Sequence, residues 1–227
     1  MPLASDAEQM RASLVGLSGM LEDEARSLAA DDSGSLAGSA AKAWIGSRLA
    51  VGIGGLIEEY AGAAQAVAAD FYDLARGALA LPGRFTAFVP DPGTFGPDAL
   101  TGWAASEATS FTAFESLVVG GASRRVMNAA RDTTMANALA DPQCRGWMRI
   151  GAGECDFCRM LIARGDVYTS ESVRFKSHDH CKCQAAPVWD ESNVVELREK
   201  YVPSARFKTE AARRRNNEAV RAYLSAQ

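Results

Sequence analysis

Histidine is almost missing from this chain of 227 residues: the two present, His178 and His180, stand two positions apart. Histidine is the commonest general acid or base, and both lie in one cysteine-rich stretch. No Ser-His-Asp set can be assembled without drawing on them. A His-Glu-x2-His helix is also missing. So is the His-x-Glu that precedes Pro-Cys-x2-Cys in zinc deaminases. These gaps point away from an enzyme. No apolar run approaches the length that spans a bilayer, and the N-terminus lacks the basic region and apolar core of a secretory signal. The expectation is therefore no membrane partner, a cytoplasmic setting, and cysteines kept as thiols. Five cysteines is an odd number for a disulfide framework, and the Cys-x2-Cys is not beside the βαβ pattern of a redox motif. Gly52-Ile53-Gly54-Gly55 has neither the preceding strand nor the following Lys-Ser/Thr of a phosphate loop.

What is present concentrates near the C-terminus. Four of the five cysteines and both histidines lie between positions 155 and 183, as Cys155-Asp156-Phe157-Cys158 and His178-Asp179-His180-Cys181-Lys182-Cys183. Thiolates and imidazoles in two short clusters are the donors a tetrahedral Zn²⁺ takes, at about 2.0–2.3 Å. The expected metal ligands are Cys155 and Cys158 with two or more of His178, Cys181 and Cys183, and His180 in reserve. Cys144 reads as a small buried residue. With no open coordination position in view, the zinc is expected to be structural.

The rest of the chain reads as helices. Met10, Leu14, Leu17, Leu21, Ala25 and Leu28 recur at steps of three and four, one stripe of an amphipathic helix over about 7–30. A second helical region spans about 36–81, with Leu49, Ile53, Leu56, Ile57 and Tyr60 inward and Val67, Phe71, Leu74 and Leu79 continuing that face. Its glycine string at 52–55 marks either close packing or an interruption. Residues 82–97 hold four of the eight prolines together with Phe85, Phe88 and Phe95, an ordered surface loop rather than a helix. Asp98 or Thr101 caps a third helix that Gly120-Gly121 ends, and Ser123 starts a fourth, whose Arg124, Arg125 and Arg131 form a basic face. Beyond Pro142 the helical period stops and short strands are expected at 147–150, 167–168 and 184–189. The fold class is mainly α with a small α+β, zinc-stabilised module near the C-terminus. The expected domains are a helical one at 1–141, the zinc module at 142–190 and a helical tail at 191–227. A module this small gains folding energy from a metal.

The run Trp147…Cys155-x2-Cys158…Gly165-x-Val167-Tyr168…His178-x2-Cys181-x-Cys183…Pro187-Val188 resembles the C-terminal signature of the Mu-F-like phage minor head proteins, also called head morphogenesis proteins. It is most similar to the variant of actinobacterial phages. The likeness covers residues 146–189, and His180 departs from it, since many members carry a non-ligand residue there. The resemblance implies a non-catalytic minor capsid protein of the virion, built into the phage head near the portal, with the portal or major capsid protein as partner.

Charge divides the chain: residues 1–100 carry 13 acidic and 6 basic side chains, residues 141–227 carry 12 and 15. Arg213-Arg214-Arg215 and Arg221 on the expected last helix can meet DNA phosphates, or form a solvated helix face with Glu210 and Glu218. The alternative function is accordingly a zinc-containing nucleic-acid-binding or DNA-packaging protein.

Overall fold

A computed structural model describes residues 2–31, 39–151, 156–163, 165, 167–169, 175, 177–189 and 218. It contains α1 (Pro2–Asp31), α2 (Ser39–Ala78), α3 (Pro97–Glu107), α4 (Phe111–Ala140), β1 (Gly146–Ile150), α5 (Asp156–Ala163), β2 (Val167–Tyr168) and β3 (Gln184–Val188). The architecture is mainly helical with one small sheet, as the change of texture after Pro142 predicts. The helical tail expected at 191–227 lies outside the described residues, apart from Glu218.

The α1 stripe is real: Met10, Leu14, Leu21 and Ala25 are buried against Leu49, Ile53, Ile57 and Tyr60 of α2 and Phe114, Val118, Val126 and Met127 of α4. Each fully buried leucine or isoleucine contributes about 1.5–3 kcal/mol. Both glycine strings lie inside helices, which at 52–55 is the close-packing alternative and at 120–121 departs from the expected helix end. α2 runs unbroken through its glycines, because Gly52 faces Leu28 and Gly54 faces Pro97, where an added Cβ would come within 3.2 and 3.1 Å. α4 likewise passes through Gly120-Gly121, and the break falls at Ala108–Ser110 instead. The Ser110 side chain accepts from the Ala113 N–H and starts α4, as an N-cap does. The N-cap of α3 is Gly96, in the left-handed conformation, rather than Asp98 or Thr101. Leu74 falls on the outer face of α2, because Phe71, Tyr72 and Ala75 occupy its inner one, and Leu79 is exposed in the turn that follows the helix.

The proline loop between α2 and α3 is ordered by side chains from the helices beneath it. Asn137 of α4 donates to the Phe88 carbonyl and accepts from the Phe88 N–H, as a neighbouring strand would. Gln65 donates to the Pro90 carbonyl, Arg125 to that of Phe95, and Asp73 accepts from the Ala87 N–H. Backbone polar groups against a core need partners, which accounts for the burial of Gln65 and Asn137.

The sheet has strand order β2-β1-β3, antiparallel throughout, with Trp147 opposite Tyr168 on one side and Pro187 on the other. Gly146 at φ 144° lies where a Cβ would meet the Tyr168 carbonyl oxygen at 2.3 Å, so only glycine fits. A second core surrounds Trp147 and joins Phe175, Cys158, Cys181, Cys183 and Ala185 to Tyr72 of α2 and Ala138 of α4. At its edge the buried Asp141 carboxylate accepts from Arg76, Tyr72, Trp189 and the Gln143 N–H. Burial raises the Asp141 pKa, but these donors outweigh it and hold the group below the ordinary carboxylate range.

Candidate metal centre

Cys158 lies on α5, positioned by a helix whose buried side is Cys158 and Met160. His178 and Cys181 lie in the segment that leads into β3, where the Cys181 N–H donates to the His178 carbonyl and closes a turn. This turn brings the imidazole and the thiol to the same side. The Cys158 Sγ is 3.8 Å from both the Cys181 Sγ and the His178 Nε2. The three ligand atoms all lie within 4.8 Å of one another. Donors about 2.3 Å from a tetrahedral ion are themselves about 3.8 Å apart, so the spacing fits. His178 Nδ1 donates to the Asp179 carbonyl oxygen at 2.6 Å, leaving Nε2 as the nitrogen turned to the thiols, the arrangement that fixes a ligand's tautomer.

The remaining expected ligands separate. Cys183 is buried beside these three, close enough to hydrogen-bond the Cys158 and Cys181 thiols though not one of the three converging ligands, and packs where a Cβ on Gly151 would stand. Cys155 lies outside the described residues. His180 turns away: its ring sits over Gly120 of α4, with Nδ1 3.7 Å from the Glu22 carboxylate of α1. His180 has a positive φ of 59°, and this backbone reversal sends the two histidines to opposite sides. Cys144 stands apart from the cluster, its thiol donating to the Gly146 and Val188 carbonyls, and burial raises its pKa.

Electrostatically the thiols act as one group. Hydrogen bonds from the Cys158 and Cys183 thiols, together with the charge of Arg131, outweigh burial and hold Cys181 below the ordinary thiol range. Cys158 is pushed up by its hydrogen bonds to Cys181 and Cys183 and by burial. A soft-donor set of this kind can hold a metal ion, whose binding replaces the thiol protons.

The His178–Cys183 segment is clamped to the helices. Arg131 of α4 donates to the Cys181 carbonyl at 2.7 Å and to the Cys183 carbonyl at 2.7 and 2.9 Å. Ser177 donates to Asn128 of α4, Arg124 pairs with Asp179, and Lys182 donates to Ser18 and Glu22 of α1. Arg131, expected on an exposed basic face, is instead 1% exposed, and burial pulls its pKa down to about 10. The helical period carried a signal for this, since Arg131 shares a face with Met127, Thr134 and Ala138, all buried. Nothing local to Ser18, Glu22 or Asn128 marks them as partners of the site.

No helix among the described residues is long and apolar enough to cross a membrane. Among known families, the model described as VG15 protein matches residues 1–209. No curated protein and no solved structure matches the chain.

Proposed function

The chain belongs to the VG15 protein family, a family of viral and phage proteins, and from that premise we propose that it is a minor structural protein of a phage head. In this reading it is a Mu-F-like head component built in near the portal, against portal or major capsid subunits, and it carries no catalytic site. The observation that supports it best is the fate of the Cys/His signature. Its second half is pinned on α1 and α4 by Lys182, Asp179 and the Arg131 contacts. A metal there ties the sheet to the helices, which is a structural task. Zn²⁺ suits the donors; Cys158, His178 and Cys181 would hold it, with Cys155 or Cys183 completing the set. Bound, the ion supplies a cross-link between parts of the chain and no reaction.

Quantitative mass spectrometry of purified virions, with elemental analysis of the isolated chain, tests the proposal. A fixed copy number in heads and about one zinc per chain are expected, one four-ligand site holding one ion. Absence from purified particles, or metal-dependent DNA cleavage by the chain, overturns it in favour of a packaging or processing protein. The basic stretch at 213–215 that such a protein would use lies outside the described residues.

A further inference from the structure

Among the fully buried side chains of the described residues, Arg131 is second in size only to Trp147. Its hydrogen bonds end on neutral oxygens: the Cys181 and Cys183 carbonyls and Asn128 Oδ1. A second buried arginine, Arg149, shares its surroundings: the two guanidinium carbons lie 4.7 and 3.7 Å from the centroid of one ring, that of Phe175. A buried charge needs an opposite charge close by, and one aromatic ring offsets only part of it. The carboxylate of Asp179, on the segment that Arg131 holds, pairs with Arg124 instead. Among the described residues, the thiols of Cys158, Cys181 and Cys183 are the groups that interact electrostatically with Arg131 and can carry negative charge.

Charge counting then discriminates between ligand sets. A divalent ion on two thiolates and one imidazole is neutral, which leaves Arg131 uncompensated. A third thiolate gives the centre one negative charge, enough for one of the two arginines, and Arg131 is the one whose fork holds the cysteine-bearing segment. We propose that the occupied centre is a divalent ion held by at least three thiolates, and that Arg131 is its buried counter-charge, a positioning residue rather than a ligand. Arg131 acts on the centre in two ways: its charge offsets the excess thiolate, and its fork fixes the carbonyls on either side of Lys182. The inference rests on the metal reading above and deepens it.

The test uses the full chain as wild type, Arg131→Met and Arg131→Lys. Zinc affinity is measured by competition with a chromophoric chelator, and the sulfur-to-metal absorption of the Co²⁺-loaded protein counts thiolates. Three or more thiolates are expected in the wild type. Arg131→Met should weaken zinc at least about tenfold, the scale on which partners behind the ligands act, with the absorption per bound cobalt unchanged. Arg131→Lys, which keeps the charge and loses the fork, should retain most of the affinity. A wild-type spectrum with two thiolates overturns the proposal, as do wild-type zinc affinity in Arg131→Met and equal losses in both variants. If Arg131→Met does not fold, the lysine variant and the wild-type spectrum still decide. A wild type that takes up neither metal sinks the metal reading and this inference together, whereas a zinc protein indifferent to Arg131→Met sinks only the inference.

Discussion

The two histidines are neighbours in sequence and opposites in space, and that difference sets the first expectation. His178→Ala should cost more than about a hundredfold in zinc affinity, beyond the range of outer-layer partners. His180→Ala should leave zinc binding nearly intact, because its ring faces Gly120 and Glu22. Chelator competition on the two variants measures both, and equal losses would contradict the assignment. At Asp141 the expectation concerns pH. Its folded-state pKa lies below the ordinary value, so its contribution is complete above the unfolded-state value of about 3.9 and is lost as pH falls through the folded one. Asp141→Asn should cost about 3 kcal/mol at neutral pH by leaving Arg76 buried without its partner. It should also flatten the decline of stability below about pH 4. Urea titrations at pH 7 and pH 3 decide this: an equal deficit at both would show that the carboxylate charge is irrelevant.

At the scale of elements, glycine is where sequence and structure diverge. Gly120-Gly121 in a helical pattern reads as a stop, since glycine so often follows a helix's last turn. Here each instead faces a neighbour from far along the chain: an added Cβ would meet His180 Nε2 at 2.6 Å and Leu100 Cδ1 at 2.3 Å. What opposes a glycine cannot be read from the residues beside it. Gly121→Ala should therefore destabilise by about 1–3 kcal/mol through overpacking. Gly55→Ala and Gly62→Ala, exposed with nothing within 4 Å of the new Cβ, should stabilise by up to about 1 kcal/mol. Thermal melts of the three variants check the contrast, and a common sign would refute it. Helices with strong apolar stripes, the β1 strand and the Cys/His clustering were legible because each is a short-range pattern. The clamps of Arg131, Asn137 and Lys182 were not, because a polar residue on a helix or loop looks the same whether it meets water or a distant carbonyl.

For the molecule as a whole, the metal is expected to stabilise more than the sheet. The segment bearing His178 and Cys181 is the one that grips α1 and α4, so stripping the ion should loosen helices that contribute no ligand. Hydrogen exchange in the metal-free chain should rise around Ser18 and Glu22. The melting temperature should fall by about 10 °C or more, roughly 3 kcal/mol at this chain length. An unchanged α1 exchange pattern after chelation would show that the sheet and helices hold together without it. The Lys182–Ser18 contact spans 164 positions of sequence, and this separation has a consequence in time. On a translating ribosome, at about 5–20 residues per second, α1 emerges roughly ten to thirty seconds before the lysine that will hold it. Glu22 waits for this lysine throughout that interval, whereas the Ser18 hydroxyl can meet Ser123 of α4 sooner. The clamp on α1 therefore closes late, a latch on a nearly finished molecule rather than the seed from which it grows.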